Sequence, residues 1–426
     1  MTSAGKSGPL PSIDVRIDEE SERGYARGAQ LQDEFTAAAE RLRDLDGYVD
    51  PHDPQQGKQL RADLALEGGG VKGIGLAAAV LVLDEAGYSF PRVAGTSAGA
   101  IAASLIAALS KAKKPMPALR GYLSQVQFAN FMQPEGKIHH FLDHMGGIVQ
   151  KAEDVSILTQ KIGLYPGTYL KQWLGPILAD LGVTSFSDLK IDQAADPGMS
   201  LAPDRQYRLV VHTSDVTREQ LVRLPWDYSY YGLPADEQEV VGAVRASMSI
   251  PFFFEPVTIQ ARATDVNVPL PDGSFIPQHY EAGEVTWVDG GMLANFPIGA
   301  FDRLDGQPAR WPTIGVKLSS LQMDFPPTQA CSTALSLAIR AMHTVLNEWD
   351  RYNVDQATAA RTIFVDNAGL KATQFDLSLK QQNELFLNGV LAATSFVIEM
   401  ARAGGVPRSA ADATKIVAQR KAAAGQ

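Results

Sequence analysis

Organised hydrophobic patterning starts near Arg61 and runs for most of the chain. Ala62–Leu66 reads as a short apolar strand that opens into a glycine loop. Ile74 to Ala86 then reads as a helix closed by Gly87. Arg92–Gly95 is a second short strand running into Ser97, and Ala98 to Leu109 is again helical. The succession strand, loop, helix, strand, turn, helix predicts a parallel α/β core with its sites at the carboxyl ends of the strands. From Lys111 to about Leu189 the pattern is helical and interrupted by glycine and proline, which predicts a cap and not sheet. Tyr207–Thr213 and Gln220–Leu224 alternate like the arms of a hairpin. Val240 to Ser249 reads as a helix stopped by Pro251, and Ala261 to Gly283 as a turn-rich excursion. Val285–Val288, Thr313–Leu318 and Ile363–Val365 read as strands, and Asn383 to Ala403 as a final amphipathic helix.

Outside this region the patterning is weaker. Residues 1–59 are charged and poor in large apolar side chains, a polar extension with a linker. Gln30 to Leu45 forms one amphipathic helix in this reading, broken at Asp50-Pro51-His52-Asp53-Pro54 because each proline disfavours helix in the residue before it. The expected organisation is an extension over 1–59, one domain over 60–395 with a helical cap at about 110–190, and a helix end and Ala/Lys-rich tail over 396–426.

Composition narrows the classes. With 426 residues, 45% hydrophobic and 20% charged, the chain has ample material for a core. A net charge of −10 argues against general attraction to nucleic acid or to an anionic membrane. The one cysteine, Cys331, excludes an intramolecular disulfide and fits a reducing compartment. Met1 to Pro11 lacks the apolar core of a signal peptide. The apolar runs Ile74–Leu83 and Ala100–Leu109 span about ten residues each, where about 20 are needed to cross a bilayer. A cytoplasmic protein that meets lipid peripherally is expected; export as an effector is left open.

The chemistry sits in three motifs. Gly95-Thr96-Ser97-Ala98-Gly99 has the pattern of a nucleophile elbow, a tight strand-to-helix turn that presents a serine. Glu67-Gly68-Gly69-Gly70-Val71-Lys72-Gly73 is a backbone able to aim several N–H groups at one developing negative charge. Gly69, Gly70 and Val71 are the candidate donors, with the N–H of Ala98 beside them. Serine needs a base, and none of the seven histidines lies in a recognisable catalytic turn after Ser97. Asp289 is the better partner: it ends the strand Val285–Val288, and Gly290 and Gly291 leave its backbone unobstructed. A free aspartate has a pKa of ~3.9. Activity is therefore expected to fall only well below neutral pH, and a limb near ~6.5 would implicate a histidine.

Other readings compete for the same residues. Gly68, Gly70 and Gly73 also satisfy a dinucleotide fingerprint, but the next strand ends in Gly-Thr-Ser where that reading wants an acid. His140 and His144 stand at helical spacing for zinc, without the usual glutamate or a third ligand. Lys72 is either an exposed residue at a helix start or a contact for a phosphate head group. Trp226, Tyr228, Tyr230 and Tyr231 fit a lipid interface and loop packing equally well. Phe252, Phe253 and Phe254 fit an acyl channel or a core.

In combination the motifs resemble the patatin-like phospholipase family. Gly68–Gly73, Gly95–Gly99 and Asp289-Gly290-Gly291-Met292-Leu293-Ala294-Asn295-Phe296-Pro297 occur in the family's order, supported by Arg245–Phe253 and Thr373–Leu377. The likeness covers roughly residues 60–395. It implies a three-layer α/β/α sandwich with a mainly parallel sheet, and lipid acyl hydrolysis by a Ser97–Asp289 dyad with Gly68, Gly69 and Gly70 as oxyanion loop. The resemblance also implies phospholipase A or lysophospholipase activity on phospholipid or lysophospholipid, with no calcium or other cofactor. Glu67 departs from the family, where many members carry a small residue or Asp. The alternatives are a general esterase or acyltransferase on soluble thioesters, and a non-enzymatic lipid- or partner-binding module.

Overall fold

The central sheet contains β1 (Asp63–Leu66), β2 (Val93–Thr96), β3 (Leu209–Asp215), β4 (Gln220–Leu224), β5 (Val257–Ala261), β6 (Gly283–Asp289), β7 (Thr313–Lys317) and β8 (Thr362–Phe364). Along its main path the order is β5-β6-β3-β2-β1-β7-β8, and β4 pairs with β3 off that path. β3, β2, β1, β7 and β8 are mutually parallel. β4 and β6 run against β3, and β5 against β6. Every residue of β1, β2, β3 and β7 is buried, which fits strands covered on both faces, and holds for β3 although its sequence reads as alternating. The computed structural model describes residues 28–50, 54–127, 130–131, 163–192, 201–269, 274–303, 307–318, 355–370, 377–409 and 411–416, with a few single positions between 337 and 374.

The helices that matter for the site are α1 (Ala29–Asp46), α2 (Gly73–Glu85), α3 (Ala98–Lys111), α4 (Thr168–Asp180), α5 (Val240–Ser247) and α6 (Leu379–Ala403). α2 follows β1 and α3 follows β2, as the patterning predicts. All residues from Gly75 to Leu83 are buried, so α2 carries no amphipathic stripe and serves as an interior helix. α6 lies along it. A Cβ added at Gly389 would stand 2.3 Å from the Gly75 carbonyl oxygen, so the two backbones meet at closest approach there. α6 begins with a Ser378/Gln381 capping box, which sets its start ahead of the expected Asn383. Its 25 residues are long and apolar enough to cross a membrane, unlike the shorter runs considered above. Its packing on α2 makes it a core helix.

Two sequence expectations are corrected and one open choice is decided. The excursion Ala261–Gly283 is not loop but a hairpin, Thr264–Pro269 paired antiparallel with Phe275–Tyr280. The cap region holds a short strand, Gly163–Tyr165, parallel to Phe252–Phe254. Phe253 and Phe254 are buried against Tyr165, and Trp226, Tyr228 and Tyr231 are buried too, so core packing claims these aromatics. The readings at Cys331, at His140 and His144, and at Thr373, Phe375 and Asp376 lie outside the described residues.

Candidate active site

β3 brings the two candidate chemical groups together. A strand has two edges, and β4 occupies one of them along Val211–Asp215. β2, paired up to His212, and β6, paired from Thr213 to Asp215, must therefore share the other edge. β2 runs parallel to β3 and β6 antiparallel, so their carboxyl ends point at each other. Thr96 lies opposite His212 and Asp289 opposite Thr213, adjacent positions on β3. Ser97, one residue past Thr96, meets Asp289 where the two strands abut.

Ser97 sits at φ +51°, ψ −121°, a conformation that costs a non-glycine residue roughly 1–3 kcal/mol. The turn is held by its glycines. A Cβ at Gly95 would lie 2.3 Å from the Gly99 oxygen, and one at Gly99 would lie 2.2 Å from the Leu66 oxygen. The elbow thus folds onto itself and onto the end of β1, and α3 starts at Ala98 with Ser97 at its N-cap.

The glycine loop crosses the same point. Gly68 is wedged between Asn295 and Ser97: a Cβ there would stand 2.1 Å from Asn295 Oδ1 and 3.2 Å from Ser97 Cβ. Asn295 clasps it from both sides, its carbonyl accepting the Gly68 N–H at 2.9 Å and its Nδ2 donating to the Gly68 oxygen at 3.1 Å. The Gly68 N–H is therefore spent. Those of Gly69, Gly70, Val71 and Ala98 reach no acceptor among the described residues. Gly70 has φ +57°, which lets the chain turn from loop into the helical segment before α2.

Beneath the loop lies an ion pair that sequence reasoning missed. Glu67 and Lys317, both buried, bond to each other, and the Glu67 carboxylate also accepts the Leu318 N–H. Leu318 Cδ1 would stand 2.4 Å from a Cβ at Gly69, so the pair clamps the end of β7 against the loop. Lys72 is half-buried. Burial lowers its pKa, Glu67 raises it, and Lys317 lowers it. The Glu67 departure from the family pattern was the signal that could have located this pair.

Asp289 is 2% exposed. Its Oδ1 accepts the Gly291 N–H at 2.7 Å. Oδ2 has no hydrogen-bond partner of ordinary geometry, although the Ser97 hydroxyl faces the carboxyl closely enough to favour its ionised form. Burial outweighs these contacts and pushes the pKa up to about 7. This corrects the expectation built on a free aspartate. His212, buried on β3, is pushed down to about 4 by burial and by Arg223, against the backbone of Ala294. Neither of its ring nitrogens has a partner of ordinary geometry. It is neutral at neutral pH and a weak proton acceptor.

The patatin-like phospholipase model matches residues 64–302, which include the elbow, the glycine loop and Asp289. The chain belongs to the patatin-like phospholipase family. A relative from Bacillus subtilis (strain 168), the uncharacterized protein YqhO, is 32% identical over 327 residues, covering 76% of this chain and 93% of its own. Among solved structures, VipD from Legionella pneumophila aligns at 15% identity and a TM-score of 0.40, over 79% of this chain and 66% of that one. ExoU of the Pseudomonas aeruginosa type III secretion system, solved with SpcU, aligns at 17% identity and a TM-score of 0.31, over 80% of this chain and 54% of that one. This chain thus spans about two-thirds of VipD and about half of ExoU. Family membership accounts for the α/β architecture.

Proposed function

We propose that this member of the family is a lipid acyl hydrolase of phospholipase A or lysophospholipase type, with Ser97 as nucleophile and Asp289 as general base. The observation that carries the reading is the end-to-end meeting of β2 and β6 on one edge of β3, under a loop with unspent amides. Ser97 Oγ attacks the ester carbonyl carbon while its proton passes to Asp289. The carbonyl oxygen takes up negative charge facing the N–H groups of Gly69, Gly70 and Ala98. Gly68 permits the close approach and does not donate. The ester C–O bond then breaks, and Asp289 returns the proton to the departing lysolipid or glycerol oxygen. Water attacks the acyl-serine, giving its proton to Asp289, and Ser97 recovers a proton as the fatty acid leaves. Burial supports the base role: a carboxylate near pKa 7 accepts a proton more readily than one near 4.

Ser97→Ala and Asp289→Asn are each expected to remove nearly all hydrolysis of phospholipid vesicles and of p-nitrophenyl esters while the protein stays folded. Full turnover by either variant refutes the dyad. Labelling of Ser97 by a fluorophosphonate probe is expected in the wild type, and its absence would favour a non-enzymatic binding module. Faster turnover of soluble thioesters than of lipid would favour the acyltransferase or general esterase reading.

A further inference from the structure

β2 and β6 share no ladder with each other, and Ser97 lies one residue past the last β2–β3 pair, so the ladders on β3 align Thr96 with Asp289 but do not themselves hold Ser97. A turn at the end of α5 does. Ser97 donates its backbone N–H to Ser247 Oγ at 2.8 Å, and the Ser247 hydroxyl donates to the His212 carbonyl on β3 at 2.6 Å. Two residues on, the Ser249 carbonyl accepts the Asp289 N–H at 2.9 Å, and the Ser247 carbonyl takes a longer bond from Gly290 N–H at 3.4 Å. Ser247 and Ser249 are both fully buried. The turn is itself anchored by Arg245, a buried guanidinium that donates to Ser249 Oγ, to Pro166 O at 2.7 Å and to Glu255 O at 2.8 Å.

We infer that Ser247 is a positioning residue: its hydroxyl and the turn Ser247-Met248-Ser249 form a crossbar that holds Ser97 at a fixed distance from Asp289. The inference rests on the dyad proposed above. Ser97 lies past the last β2–β3 pair, its N–H is accepted by Ser247 Oγ, and a buried amide without an acceptor is costly. A hydroxyl can accept that N–H and donate to a carbonyl at the same time, which alanine cannot do. Losing it frees the nucleophile to shift relative to the base, and a displacement near 1 Å costs about 100-fold in rate.

The test measures Ser247→Ala against wild type on a soluble p-nitrophenyl ester. The expected result is a fall in kcat of about 100-fold with little change in KM, and an equal slowing of fluorophosphonate labelling at Ser97. Ser247→Thr, which keeps the hydroxyl, is expected to recover most of the loss. Amide hydrogen exchange at Ser97 is read in the same proteins and is expected to accelerate in Ser247→Ala. If that variant does not fold, Ser247→Cys carries the comparison, because a thiol accepts the N–H weakly. Unchanged kcat in a folded variant beside an active wild type overturns the crossbar and leaves the dyad standing. Equal Ser97 exchange in wild type and variant overturns it whether or not any ester is turned over. A wild type that neither labels nor turns over ester overturns the dyad instead, and the exchange result alone then decides the crossbar.

Discussion

Asp289 combines a buried carboxyl with few compensating donors, and its titration is the property from which the residue-scale predictions follow. Its pKa is about 7 in the folded chain and near ~3.9 when unfolded. Between those values the native state holds a proton that the unfolded state releases. Stability therefore falls as pH rises from about 4 to about 7, and the full cost remains above that window. Asp289→Asn removes the cost, so its melting temperature should exceed that of wild type at pH 8, with the gain shrinking toward pH 4. Thermal scans at both pH values check this. The gain should be on the order of a few kcal/mol. Activity should move the opposite way, rising through a limb near pH 7 as the base ionises. Ionising a carboxyl creates charge, whereas an imidazolium only passes its charge on. Added organic co-solvent should therefore raise the apparent pKa of that limb, and an unmoved limb would assign it to a histidine. Because His212 titrates near 4, it does not compete for this assignment. The motif text names Ser97 and Asp289, but burial, which sets the titration, comes from strands far away in the chain.

At the scale of elements, the glycine loop is shaped from below by β7. Glu67 and Lys317 are 250 positions apart, buried and paired, and their contact presses Leu318 onto Gly69. Glu67→Ala would leave the Lys317 ammonium buried without its partner, a loss of roughly 3–5 kcal/mol that denaturant unfolding would register. Replacing both residues with apolar side chains of similar volume should recover much of it. Gly99→Ala is predicted to cost roughly 1–3 kcal/mol through its clash with the Leu66 carbonyl, and to impair the elbow as well. The buried strands and interior helices were legible because continuous apolar runs bounded by glycine admit few other readings. The hairpin over Thr264–Tyr280 was not: its second arm is almost wholly exposed and holds Pro277, and its first arm alternates exposed with only half-buried residues. A separate two-stranded hairpin without a fully buried residue among those described places little demand on hydrophobic patterning, so it leaves little signal.

Over the whole molecule, the first described helix, α1, is tied to α6 near the other end of the chain. α1 buries Phe35, Ala38, Ala39 and Leu42, and it packs on α6. Asp46, at its end, pairs with Arg408 at 3.2 Å and accepts the Val406 N–H at 2.8 Å. α6 in turn covers α2, the helix that leaves the glycine loop. Leu42→Ala is predicted to cost about 2–5 kcal/mol, read from the denaturant midpoint. Deleting residues 1–47 should destabilise the fold further by uncovering α6. A midpoint unchanged by either would mean that α1 contributes nothing to the core. The amphipathic period over Gln30 to Leu45 announced this helix, but no local pattern could name the surface it would cover.

The chain's local patterning determined the α/β class and the order of strands and helices about the motifs, and it picked out Ser97, the glycine loop and Asp289 as the candidate site. Those features depend on neighbours in sequence: runs of apolar residues, and glycines where a side chain would strike backbone. Tertiary structure alone decided which amides of the loop are spent, that Glu67 has a buried cation beneath it, that Ser247 Oγ accepts the Ser97 N–H, and that burial raises the pKa of Asp289 to about 7. Each depends on exclusion of water and on contacts between residues a hundred or more positions apart, which no short window of sequence encodes.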